Sequence, residues 1–334
     1  MPGAGAIARA GATCGVGATS GTGAPAAVGV LAGARDDGQV SGLVAEGLVK
    51  RYGRSVALDG FALSVSPGEI AGLVGHNGAG KTTFVEIVSG LTRPDAGRVS
   101  VAGVDVLAQP RHARARLGVC PQETSLYPRL TVAEHLRLFG ALAGLRRAAL
   151  RRAVTGIAER LCLTEVFDRP AGLLSGGQRK RTQAATALVA ERPVLLLDEP
   201  TAGADPQTRR ALLTVVADRA AAGAAVVYTT HYLPELAELG ATLAVARAGK
   251  IIARGGQRSL LAGLAGEVRV GFAGPVPAGL RPLGQVDGTA RDELRVVTSD
   301  APATLARLLA AGAAPVSIDI RRPGLDDLYA ALTP

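Results

Sequence analysis

Gly75-His76-Asn77-Gly78-Ala79-Gly80-Lys81-Thr82-Thr83 follows the pattern G-x-x-x-x-G-K-[ST], and its residue types suit a chain of phosphates. Glycines let the backbone wrap closely, so successive N–H groups point inward as donors. A helix starting at the end of the loop adds roughly half a positive charge at its N-terminus. Lys81 brings a point charge to β- and γ-phosphates, and Thr82 a hydroxyl ligand for Mg²⁺. Further on, Val194-Leu195-Leu196-Leu197 ends at Asp198 and Glu199. One carboxylate there can hold Mg²⁺ through water while its neighbour orients an attacking water. Between these two motifs lies Leu174-Ser175-Gly176-Gly177-Gln178, where a small polar residue and two glycines open a helix and create a second anion site. Together these residues could hydrolyse a nucleoside triphosphate.

Such side chains need rigid elements behind them. Residues 43–50 and 56–65 read as strands, and 70–74 is a short apolar run ending at Gly75. A helix over 81–89 then places the Gly-rich loop between strand and helix. Residues 97–106 return to strand, and 131–163 are helical with a break near Gly144. Ser175 opens a helix toward Glu191, residues 194–197 are a buried strand, and 206–222 form a helix with Pro206 in its first turn. A strand follows over 224–229, then a hairpin over 242–253 turning at Gly249. The pattern predicts an α/β sheet whose functional residues sit at strand ends. Beyond about Ala262 the expected elements are strands at 267–271, 294–298 and 315–320 and helices at 302–311 and 325–332, a small α+β appendage.

Composition narrows the class. Aromatic residues make up 3% and Trp is absent, so Ala, Val and Leu must build the core. The net charge of +9 is compatible with nucleic acid or an anionic membrane surface. However, the basic clusters at 111–116, 146–152 and 179–181 have helical spacing and few aromatic companions, which favours solvated helix faces over a base-stacking platform. Cys14, Cys120 and Cys162 are far apart, without metal-ligand spacing, as expected for reduced cytosolic thiols. No apolar run approaches the ~20 residues of a membrane helix, so any membrane crossing falls to another chain. Residues 1–40 are Gly/Ala-rich without a period of 2 or 3.6, which predicts a disordered tail or an over-extended start.

The order of phosphate loop, LSGGQ and acidic strand end resembles the ATP-binding cassette (ABC) ATPases over roughly residues 43–262. The resemblance implies a P-loop NTPase cassette: a RecA-like core, a helical subdomain at about 123–190 and an antiparallel β subdomain, with residues 263–334 as a C-terminal α+β extension. It implies that two copies stack head to tail, each ATP lying between Gly75–Thr83 of one chain and Ser175, Gly176, Gly177 and Gln178 of the other. Asp198 is then the metal-side carboxylate and Glu199 the catalytic base. Tyr52 matches the aromatic that stacks on adenine, Gln122 the glutamine that senses Mg²⁺, His231 the switch histidine at the γ-phosphate, and Asp205 the loop that crosses the dimer interface. His76 replaces a usual Pro, Ala204 a usual Leu, and Thr182 a usual Leu.

Softer signatures resemble exporters of the daunorubicin-resistance type: Pro121-Gln122-Glu123, residues 126–134, residues 230–235 and Pro323 to Tyr329. That branch implies a peripheral ATPase on the cytoplasmic face of the membrane, working with a separate permease and with no nucleic acid. The rival reading is a non-transport ABC ATPase acting on DNA or ribosomes. The interval between Gln122 and Leu174 is too short for the coiled coil of repair ATPases, only one set of motifs is present, and the cysteine pairs of a zinc-bearing repair protein are missing.

Overall fold

The structure, a computed structural model, describes residues 42–262, 264–286, 292–324, 327, 328 and 331. The tail expected over 1–40 lies outside them, as does most of the helix expected at 325–332.

β1 (Leu43–Tyr52) and β2 (Ser55–Val65) form a bulged antiparallel hairpin. β3 (Ile70–Val74) is buried along its whole length and leads through the glycine loop into α1 (Lys81–Val88). β4 (Ala96–Val101) and β5 (Val104–Asp105) join the first hairpin in an antiparallel sheet of order β2-β1-β4-β5. The single strand expected over 97–106 is therefore two. Ala102 (φ 47°) and Gly103 (φ 79°) are both left-handed, the two-residue turn that suits a right-twisted hairpin.

α2 (Pro110–Arg114) precedes β6 (Leu117–Cys120), a strand that the sequence reading did not separate from its basic surroundings. α3 (Val132–Leu142), capped by Thr131 and Glu134, and α4 (Arg147–Arg160) flank Gly144, whose φ of 93° makes the expected break. α5 (Gly176–Leu188) then runs from Ser175. β7 (Val194–Asp198), α6 (Pro206–Ala221), β8 (Ala225–Thr229), α7 (Leu233–Glu238), β9 (Thr242–Arg247), β10 (Lys250–Gly256) and α8 (Gln257–Leu261) complete this part.

The central sheet has the order β10-β9-β3-β8-β7-β6. All its pairings are parallel except that of β10 with β9. Alternation along each strand feeds two cores. Leu195, Leu197, Val226 and Tyr228 pack with Leu136, Ile157 and Leu188 of the helices. Val194, Leu196, Ala225 and Val227 pack with Phe61, Phe84 and Leu43. Being covered on both faces is why these strands read as unbroken apolar runs. Each buried leucine contributes about 1.5–3 kcal/mol of burial energy.

The remaining strands, β11 (Gly266–Gly271), β12 (Gln285–Val286), β13 (Glu293–Thr298) and β14 (Ser317–Arg321), pair in the order β12-β13-β11-β14. α9 (Ala301–Ala310), capped by Asp300, packs Leu308 against Val268, Val270 and Leu294 in a separate core. Glu267, buried in this sheet, is paired with Arg295 at 2.6 Å and with Arg269.

Candidate functional site

β3, β8 and β7 are neighbours running in one direction, so the loops after Val74, Thr229 and Asp198 open at one edge. The register places Thr229 beside both Leu73 and Asp198. Three separate sequence motifs thus meet without any long side chain having to reach for another.

The loop from Gly75 to Thr83 is pressed onto its surroundings. A Cβ on Gly80 (φ 99°) would stand 2.6 Å from Leu58 Cδ2 and 2.7 Å from Ala57 O, and one on Gly75 would stand 2.6 Å from Ala246 O. Gly78 (φ 82°) faces open space. The Ala79 amide donates to His76 O at 3.1 Å, and the Ala79 carbonyl accepts from Gly249 N at 3.2 Å. Gly80 is the N-cap of α1 and gives its first turn no side-chain partner, leaving those amides to an anion. Lys81 Nζ donates to Gly75 O and, at 3.2 Å, to His76 O, so its ammonium is held at the loop mouth. Partial burial draws Lys81 below lysine's ordinary pKa, and the charges of Asp198 and Glu199 oppose that fall.

Asp198 is 4% exposed. Burial pushes its carboxyl above the usual aspartate range, against the hydroxyl bond from Thr229, while Glu199 adds to the rise and Lys180 and Lys81 counter it. Glu199 takes a left-handed backbone (φ 46°), which costs about 1–2 kcal/mol for a residue with a Cβ. Its amide is fixed on Thr229, at 3.1 Å from the carbonyl and 3.0 Å from Oγ1. The turn brings Glu199 Oε1 to 3.4 Å from His231 Nδ1, with His231 largely in solvent.

Thr82 is exposed at the loop's end and Thr83 half-buried beside it. Gln122 has an exposed side chain and a carbonyl that accepts from Lys180 Nζ at 2.6 Å. Among the described residues no group of three or more His, Cys, Asp or Glu could hold a metal. Thr82, Gln122 and Asp198 offer hydroxyl, amide and carboxylate oxygens, hard donors that suit Mg²⁺ when water and phosphate complete the shell.

Tyr52 ends β1 with its ring half exposed, its hydroxyl 3.5 Å from Glu86 Oε2 and the Lys50 ammonium 5.4 Å from the ring centre. Asp95 fixes that strand end through Arg51 N at 2.7 Å and Lys50 Nζ at 3.2 Å.

The signature residues have other neighbours. Ser175 and Gln178 form a reciprocal capping box: Gln178 N donates to Ser175 Oγ at 3.2 Å and Ser175 N to Gln178 Oε1 at 2.9 Å. Gly176 is open to solvent, and a Cβ on Gly177 would stand 3.0 Å from Gly203 O. Asp205 caps α6, accepting from Thr208 N at 2.9 Å and Thr208 Oγ1 at 2.6 Å, bonds that hold its carboxyl below the usual range. Its side chain therefore has a local task within its own chain.

Sequence reasoning passed over several residues around this edge. Thr229 joins Asp198 to Glu199, a job that only the strand register discloses. Glu235, 2% exposed, accepts from Thr201 Oγ1 at 2.8 Å and Tyr228 OH at 3.0 Å and pairs with Arg209 at 3.2 Å. It ties the loop after β7 to α6 and α7. Lys180 and Gln183 bind the backbone around Gln122 from 58 to 62 positions away. Their burial on a helix read as a solvated basic face was the missing signal.

Comparison with known proteins fits this geometry. The ABC transporter family profile matches residues 58–202, and an AAA domain profile matches residues 167–238. The daunorubicin resistance ATP-binding protein DrrA2 of Streptomyces coeruleorubidus is 40% identical over 304 residues, covering 86% of this chain and 94% of that protein. The Nod factor export ATP-binding protein I of Burkholderia pseudomallei is 41% identical over 232 residues, covering 70% and 76%. Among solved structures, the ATP-binding subunit of an ABC transporter superposes with a TM-score of 0.63 at 28% identity, covering 65% of this chain and 91% of that one. The ADP conformation of another such cassette gives a TM-score of 0.56 at 28% identity, covering 66% and 93%. With its nucleotide loop, acidic strand end and signature helix on one cassette fold, the chain belongs to the ABC transporter ATP-binding proteins and is an ATPase.

Proposed function

We propose that two copies of this chain bind MgATP head to tail at the cytoplasmic face of a separate permease and drive efflux of a drug- or antibiotic-like compound, without a nucleic-acid partner. The observation that carries the reading is the meeting of Lys81, Asp198, Glu199 and His231 at the adjoining ends of β3, β7 and β8. The relatives bearing resistance and export names support the direction of transport. Among the described residues no helix is long and apolar enough to cross a membrane, in keeping with a partner that does so.

In this mechanism Lys81 and the loop amides from Gly75 to Thr83 hold the β- and γ-phosphates, and Tyr52 supports the adenine. Thr82, Asp198 and Gln122 would hold Mg²⁺, which when bound neutralises charge on the β- and γ-oxygens. Glu199 accepts the proton of the attacking water, and His231, 3.4 Å away, fixes that carboxylate and faces the γ-phosphate. The exposed Ser175 and Gly176 meet the ATP of the other copy: a Cβ on Gly176 would find nothing within 4 Å in its own chain, and the neighbour of Gly177 is Gly203 O. Asp205 keeps the intervening turn in shape by capping α6.

The test is a mild-detergent pull-down of the tagged chain from its native membranes, with partners identified by mass spectrometry. A stoichiometric multi-helix membrane protein is expected. Recovery with ribosomes or DNA and no membrane protein would overturn the export reading.

A further inference from the structure

The segment carrying Gln122 is held by the signature helix. Gln183 Nε2 donates to Pro121 O at 2.9 Å and Glu123 O at 2.8 Å, and its Oε1 accepts from Ser125 N at 2.9 Å. Lys180 Nζ donates to Pro121 O at 3.0 Å and Gln122 O at 2.6 Å. Both side chains are buried, three residues apart on one face of α5. A buried ammonium bound to neutral carbonyls is costly to rearrange, and a buried amide using both its donor and its acceptor leaves unpaired groups if it lets go. Ser175, at the start of the same helix, lies only roughly 12 Å up its axis from Gln183, at 1.5 Å per residue. The charge of Lys180 also bears on Asp198.

We propose that Lys180 and Gln183 are positioning residues that make the Gln122 loop and the Ser175 signature move as one body, so that the two ATP sites of the dimer sense each other. The proposal rests on the head-to-tail reading: there, Gln122 faces the ATP of its own chain and Ser175 that of the partner. Displacing either segment must displace the other, because a rigid helix with a fully bonded clamp lies between them. The loop and signature of a single copy then report on different nucleotides.

The test measures ATPase rate against MgATP concentration for the full-length chain, Gln183→Met and Lys180→Arg. Wild type is expected to give a Hill coefficient above 1, with a ceiling of about 2 for two sites. Gln183→Met should retain ATP as wild type does in equilibrium dialysis, with kcat reduced roughly 2- to 30-fold and the coefficient falling to about 1. Lys180→Arg, which keeps the charge and the donors, should retain most of the cooperativity. A wild-type coefficient of 1, or an unchanged coefficient and kcat in Gln183→Met, overturns the proposal. Hydrogen exchange on the Glu199→Gln chain reads the same coupling without disturbing the clamp: ATP should change protection of residues 121–125 and 174–180 together, and a change in only one segment overturns it. Failure of Glu199→Gln to dimerise with ATP would instead bring down the head-to-tail reading itself.

Discussion

Replacing Thr229 by valine keeps the branched shape of a buried strand residue and removes one hydroxyl. Thr229 is 1% exposed, and its Oγ1 both donates to Asp198 and accepts from Glu199 N. The Glu199 amide also donates to the Thr229 carbonyl, so it keeps a partner in the variant. Of the two hydrogen bonds lost with the hydroxyl, the costly one is that to the buried carboxylate, worth about 1.5–3 kcal/mol. For a domain of this size each kcal/mol moves Tm by roughly 2–4 °C, so a drop of about 3–12 °C is expected. The same change alters proton binding. Burial already holds the Asp198 pKa above its ordinary value, and the Thr229 bond is the chief opposing influence. Between the ordinary and the raised value the folded chain keeps the proton that the unfolded chain releases, so this group's contribution to stability falls as pH rises across that window. Thr229→Val widens the window upward. If ionised Asp198 serves Mg²⁺, the acid limb of kcat/KM must shift to higher pH in the variant. Calorimetry and a pH–rate profile at saturating Mg²⁺ make the assay. An unchanged Tm together with an unchanged acid limb would refute the reasoning.

Other variants address separate parts of the site. Lys81→Ala should lose ATP retention in equilibrium dialysis, and normal retention would contradict the phosphate role. Ser175→Arg should leave ATP binding by single chains intact while blocking the ATP-dependent dimer in size-exclusion chromatography; a normal dimer would argue against the sandwich. Glu235→Ala strands Arg209, Thr201 and Tyr228 and should cost about 3 kcal/mol in urea unfolding, the low end for a broken buried pair because Arg209 keeps contact with water. A loss under 1 kcal/mol would show the network to be incidental.

Much of the core was legible because burial on both faces writes itself as short apolar runs: Ile70–Val74, Val194–Asp198 and Ala225–Thr229 are such runs. Helix boundaries marked by Gly144, Ser175 and Pro206 were likewise readable, since each carries its backbone or capping preference locally. β6 was not readable, because its four residues follow an arginine-rich stretch and gain strand character only by pairing with β7. The turn at Ala102 escaped notice because alanine rarely adopts a left-handed backbone, and here the hairpin imposes one. Within the site, Lys81, Asp198 and Glu199 announce themselves by motif, whereas Lys180 and Gln183 act across 58 to 62 positions of chain and resemble an ordinary basic helix face. Asp205 shows the converse. Its motif assigns it by resemblance to the dimer-interface loop, and the fold adds a local role that the motif does not show, the cap of α6.

The most direct test of the account is Glu199→Gln, followed by turnover and by light scattering with saturating MgATP. The variant removes the carboxylate proposed to accept the water's proton and leaves the proposed phosphate contacts in place. Turnover should fall by roughly 10²–10⁴-fold, and ATP should trap a stable dimer holding two nucleotides. Wild-type turnover in a chain that stays monomeric would contradict both the role of Glu199 and the paired cassette.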